Sequence, residues 1–220
     1  MDECAELAPC QARLEAFWAK AGAADGDAAH GLHHFRRVWN AARRIAATES
    51  GADLQVLLAA AYLHDLVNPP KDSPLRDQAS RLSAEQARPL LAGLGFAPGQ
   101  VDAVAHAIEA HSFSAGIEAR TLEARILQDA DRLEALGAIG LARCFYTGGR
   151  MGTSLWAAED PFGRSDRALD DRNFSLDHFA VKLLRLPERM HTAEGRRLGR
   201  RRARVLVLFM RQLEQELRED

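Results

Sequence analysis

Residues 59–70 read "AAAYLHDLVNPP". The unbroken apolar run over residues 56–63, "VLLAAAYL", argues for a buried helix. It closes on His64 and Asp65, two side chains that favour metal ions. Pro69-Pro70 then ends any helix, because residues preceding proline leave the α region. A histidine and an aspartate placed there are either a satisfied core pair or groups the core is built to hold.

Outward from this stretch, helical periodicity dominates and alternating strand patterns are nearly absent. Residues 3–20 carry Leu7, Leu14, Phe17 and Trp18 at helical spacing. Asp27 offers an N-cap for a helix to about Thr48, and Asp53 one for the next. Further helices are expected near 78–92 and from Pro98 to about His111. A long helical pattern over 121–146 is expected to close at Gly148-Gly149. A functional loop is expected over 147–173, then helices near 175–190 and 192–218. No repeat or composition break marks a linker, so the expectation is one all-α domain over 1–220. Its core motifs span about 25–146 and a C-terminal helical part about 170–220.

Composition narrows the function classes. Of the 220 residues 47% are hydrophobic, enough for a sizeable core. The formal net charge is −2, from 29 basic and 31 acidic residues, which does not suit a general nucleic-acid binder. No run approaches the roughly 20 apolar residues of a membrane span. The three cysteines are unpatterned and the N-terminus "MDECAELAPC" is acidic, so a cytoplasmic protein is expected. The arginine-rich "GRRLGRRRAR" over 195–204 reads as the solvated face of the last helix, answered by "EQELRED", rather than as a polyanion site. "TGGRMG" lacks the lysine-hydroxyl ending of a phosphate loop.

Imidazoles and carboxylates cluster in a few helical places: His30, His33 and His34; His64 and Asp65; His106 and His111; Asp129 and Asp131. Neighbouring helical residues point about 100° apart, so His64 and Asp65 can lean toward one ion. A histidine from the preceding helix and an aspartate from a later one would complete a nitrogen-and-oxygen set of the kind bundles build from facing helices. Such a set suits Mn²⁺, Fe²⁺, Ni²⁺ or Mg²⁺. Asp129 and Asp131 lie about 200° apart on a helix and are not expected to serve one ion equally.

"HHFRRVW", "YLHDLV" and "DADRLEALGAIGLAR", in this order and spacing, strongly resemble the HD-domain phosphohydrolase superfamily. "AIEAHSFS", "EDPF" and "LDHFAVKLLRLP" extend the resemblance over most of the chain, toward the bacterial YedJ/YpgQ-type subgroup. The resemblance implies an HD-type helical bundle with metal ligands at His34, His64, Asp65 and Asp131, and Asp65 in the catalytic machinery. It implies a divalent-metal-dependent phosphohydrolase that uses a metal-activated water on small phosphorylated substrates. Nucleotides are the expected class, cleaved by a triphosphate pyrophosphohydrolase or a nucleotidase. His30 matches a further histidine of the first motif. Some relatives carry a glutamate as acid or base where this chain has Asn68, so that role does not transfer.

Several residues keep two readings. Lys71 and Arg76, just after His64-Asp65, either reach substrate phosphates or are solvated loop residues. His106 and His111 are candidates for phosphate contact or a second metal, with His111 favoured. His178 and Lys182, one helical turn apart, either close over a phosphate tail or form a surface pair. Arg132 leans to a structural role. Two alternatives differ in class: a diiron HD-type oxygenase, which needs further ligands from His106 and His111, and a non-catalytic metal- or nucleotide-binding module. The oligomeric state is not specified by the sequence.

Overall fold

The computed structural model describes residues 3–21, 31–69, 73–112 and 115–219. The chain divides into two compact units, Met1–Asp131 and Arg132–Asp220. The fold is all-α, with no strand among the described residues and a single isolated bridge, Ser154 to Phe174.

The first unit holds α1 (Glu3–Ala21), α2 (Leu32–Ala46), α3 (Leu54–Leu63), α4 (Ala79–Gly93) and α5 (Pro98–His111), and most of α6 (Leu122–Leu133). Helix α3 is its axis: every residue from Val56 to Leu63 is buried, and α1, α2, α4 and α5 all pack on it. A helix apolar all round can be stable only inside such a shell. Burying each of Leu57, Leu58 and Leu63 contributes about 1.5–3 kcal/mol. Asp53 caps α3 as the sequence implies, accepting the N–H groups of Gln55 and Val56. Helix α2 turns Phe35, Val38, Ala42 and Ile45 inward at helical spacing and keeps Arg36, Arg43 and Arg44 outside.

Helix α3 ends at Leu63, earlier than the prolines require. His64 and Asp65 therefore stand on the turn leaving the helix, not on the helix itself. The expected Asp27 cap lies outside the described residues, and α2 opens after Gly31.

In the second unit lie α7 (Gly137–Met151), α8 (Asp177–Val181), a 3₁₀ segment (Leu183–Arg189) and α9 (Ala193–Glu219). The expected helix over 121–146 is in fact two. The chain breaks after Leu133, extends at Leu136, and re-enters through Gly137 at φ +74. Arg202 donates to the carbonyl of Leu133, which also accepts the N–H of Leu136 at 3.2 Å. Buried Glu134 lies between Arg143 and Arg202 at 3.8 and 3.7 Å. Gly148-Gly149 do not close α7, which runs on to Met151 and stops at Gly152 in the left-handed region, φ +72. Gly148 serves packing instead: a Cβ there would sit 2.2 Å from Ser175 Oγ. The helix expected near 175–190 is five α-helical residues followed by the 3₁₀ segment, whose Pro187 has no N–H to give. No helix of the described residues is long and apolar enough to cross a membrane.

Candidate metal centre

Three chain segments of the first unit bring their side chains to one spot. His34 comes from the first turn of α2, His64 and Asp65 from the turn after α3, and Asp131 from the end of α6. His34 Nε2 and His64 Nε2 are 3.2 Å apart. Asp131 Oδ1 is 3.7 Å from the first and 3.8 Å from the second. Asp65 Oδ2 is 4.0 and 3.6 Å from the same two nitrogens. Donors bound at about 2.1 Å to one ion stand about 3.0–3.4 Å apart, so a small inward movement of the carboxylates suffices. His34, His64 and Asp131 form one group able to hold a metal ion. Both imidazoles are buried, while the Asp65 and Asp131 side chains are 20% and 31% exposed. The nitrogens thus floor the site and the carboxylates form its open side.

His111, at the end of α5, lies on the far side of Asp65, with Nε2 3.5 Å from Asp65 Oδ1. Its ring meets that of His64 edge-on at 4.8 Å. His64, Asp65 and His111 make a second ligand group. The Asp65 carboxylate therefore faces two histidines with one oxygen and one with the other.

Local structure fixes the imidazole tautomers. His64 Nδ1 donates to the Ala61 carbonyl at 3.0 Å, and His111 Nδ1 to the Ile108 carbonyl at 2.6 Å. Each satisfies an open acceptor of its own helix end and leaves Nε2 aimed at the cluster. A side chain from another helix takes a neighbouring carbonyl in both places. Trp18 Nε1 donates to Tyr62 at 2.8 Å, and Gln128 Nε2 to Ala110 at 2.8 Å.

Burial pushes the His64 pKa down to about 4, against the pull of Asp65 and Asp131, so this ring is neutral at pH 7 with a lone pair available. Burial pushes Asp65 and Asp131 up, but the surrounding His64, His34 and His111 outweigh it, and both carboxyls lie below their ordinary value. Burial lowers His111 too, yet its hydrogen bond to Asp65 prevails and raises it. Neutral imidazole beside ionised carboxylate is the protonation pattern that divalent-ion ligation requires. The residues fit such an ion.

The remaining candidates sit elsewhere. His30 and Lys71 lie outside the described residues. His33 is exposed and Asp129 is buried, and neither joins a ligand group among the described residues. Arg76 Nη1 donates to Asn68 Oδ1 at 3.1 Å, so the loop after His64-Asp65 is tied to itself. His106 Nε2 accepts the backbone N–H of Arg120 at 3.1 Å. In the second unit His178 Nδ1 pairs with Asp171 Oδ2 at 2.8 Å, and Lys182 closes one turn by its backbone N–H to the His178 carbonyl. Arg132 donates to the Arg189 carbonyl at 2.5 Å, in keeping with a structural role. The contacts of Trp18 and Gln128 have no signal in the sequence, where Trp18 reads only as an apolar helix position, since a bond from residue 18 to residue 62 is not local.

A family model for the HD domain matches residues 31–136. YpgQ of Bacillus subtilis is 33% identical over 204 residues, which are 91% of this chain and 90% of that protein. The crystal structure of YpgQ in complex with ADP is similar at TM-score 0.66 and 33% identity, over 86% of this chain and 90% of that one. An HD-superfamily hydrolase from Bacillus thuringiensis is similar at TM-score 0.73 and 26% identity, over 96% and 98%. With a catalogue of site residues in the order of the HD motifs and a relative matching nearly its whole length, the chain belongs to the HD-domain superfamily.

Proposed function

We propose that this protein is a divalent-metal-dependent phosphohydrolase acting on nucleotides, with His34, His64, Asp65 and Asp131 as the ligands of one ion. The observation that carries the reading is the convergence of two buried imidazole Nε2 atoms and two carboxylates within 3.2–4.0 Å. The ADP bound to YpgQ supports a nucleotide as substrate class. A pyrophosphohydrolase releasing pyrophosphate from nucleoside triphosphates is the preferred form.

A bound divalent ion supplies Lewis-acid activation of water and neutralises charge on the phosphoryl oxygens. The chain's own residues provide the rest. The buried His34 and His64 exclude water from the floor of the site. Asp65, held ionised, accepts the proton of the attacking water. His111, whose pKa its contact with Asp65 raises, gives a proton to the departing oxygen.

One ion is favoured over the diiron arrangement. His64 has only Nε2 to offer, because Nδ1 is engaged by Ala61, so it cannot ligate two ions. His106, the other ligand a second ion would need, is engaged by the Arg120 N–H. The test is a nucleotide panel with Mn²⁺, reading phosphate and pyrophosphate separately. Pyrophosphate from triphosphates supports the preferred form; no phosphorus bond cleaved with any divalent ion moves the reading to the binding module.

A further inference from the structure

The turn carrying His64 and Asp65 has little backbone bonding of its own. The N–H of Leu66 donates to the carbonyl of Leu63 at 3.3 Å and closes it. Two side chains from other helices grip it from either end. On the entering side, the indole N–H of Trp18 donates to the carbonyl of Tyr62, two residues before His64. The same ring lies on Phe35 at 4.6 Å between centroids, and Phe35 meets the His64 ring edge-on at 5.6 Å. On the leaving side, the Ser83 hydroxyl accepts the N–H of Val67 at 3.0 Å and is 3.3 Å from the carbonyl of the same residue. Ser83 is fully buried on a helix face shared with Ser80, Ala84, Ala87 and Leu91. A hydroxyl in that place costs free energy unless it is bonded, and the turn is what it bonds.

We propose that Trp18 and Ser83 are positioning residues, which clamp the backbone on both sides of His64-Asp65 and so set the placement of these two ligands. In its functional half this rests on the reading of His64 and Asp65 as ion ligands. The Trp18 clamp reaches the site through a carbonyl and a stacked ring, the Ser83 clamp through one peptide unit. Neither side chain touches the ion.

The test uses the full chain with Trp18→Phe, which keeps the stack and loses the N–H, and with Ser83→Ala. Leu206→Val, in the core of the second unit, serves as a control of similar destabilisation. Two readouts are taken: amide hydrogen exchange over residues 60–69 in the metal-free protein, and Mn²⁺ affinity by calorimetry. Loss of one such bond corresponds to about tenfold faster exchange in that segment. Mn²⁺ binding is expected to weaken at least about tenfold, the range seen when support of a metal ligand is removed. The control changes neither. Unchanged exchange in both variants overturns the proposal. So does faster exchange with unaltered Mn²⁺ affinity, because the clamped turn would then not govern the ligands. A wild-type protein that binds no Mn²⁺ sinks the metal reading instead, and the exchange data alone then decide whether the clamps hold.

Discussion

His34 Nε2 and His64 Nε2 stand 3.2 Å apart, on segments separated by thirty residues. Two imidazoles are buried here with their second nitrogens aimed at each other, and two carboxylates close the same gap. An ordinary core would separate these groups or replace them, since burial of ionisable groups is costly. Removing one nitrogen is therefore expected to weaken Mn²⁺ binding at least about 100-fold, above the loss typical of supporting residues. Calorimetric titration of His34→Ala and His64→Ala measures this. Affinity within a fewfold of wild type in both would remove the pair from the ligand set.

Asp65 faces His34 and His64 with one oxygen and His111 with the other, and in the proposed reaction it accepts a proton as well as binding the ion. Asp65→Ala is expected to lower kcat by a factor of about 100 or more while the helices stay folded. The pairing of nucleotide turnover with far-UV circular dichroism separates the two effects. Retained turnover would take Asp65 out of the mechanism.

Glu15 links α1 to the centre of the first unit. It accepts two hydrogen bonds from Arg36 and one from the Tyr62 hydroxyl. The Arg36 contact, against a lesser cost of burial and with help from Tyr62, holds its pKa down at about 2, below the ordinary 4.5. Because the folded value is the lower one, the contribution is whole above pH 4.5 and fades as pH falls toward 2. Arg36 is partly exposed, so solvent screening limits the loss in Glu15→Gln to about 1 kcal/mol at pH 7. Urea denaturation of both proteins at several pH values should show the gap closing below pH 4.5. A gap independent of pH would show that the contact does not act through this carboxylate's charge.

Gly140 reverses a general rule. Glycine to alanine inside a helix gains about 1 kcal/mol by propensity. Here a Cβ would lie 2.2 Å from the backbone carbon of Ala135, across the α6–α7 break. Gly140→Ala is expected to destabilise the protein by about 1–3 kcal/mol, the range for overpacking that forces backbone to move. Thermal unfolding gives the sign. A stabilised variant would mean the break is not as tight as described.

The helices that build the first unit were legible because their signals are local. The apolar run 56–63 is α3, and Pro98 opens α5. The α6–α7 break was not legible. Gly137 reads as a tolerated glycine within a helical pattern, and what sustains the break comes from Arg202, far along the chain. The glycine pair 148–149 misled for a related reason: Gly148 is small because Ser175 packs on it, not because the helix stops. The candidate ligands follow from the family motifs, while spacing alone brings only His64 and Asp65 together. The place of His111 beside Asp65 depends on how α5 ends, while His106 on the same helix turns to the Arg120 N–H instead.

Anomalous diffraction from Mn²⁺-soaked crystals reads whether His34, His64, Asp65 and Asp131 share one divalent ion. One Mn²⁺ peak per chain is expected within bonding distance, about 2.0–2.3 Å, of His34 Nε2, His64 Nε2 and a carboxylate oxygen of each aspartate. A fully loaded crystal with no peak there, or with the ion bound by other residues, would contradict it.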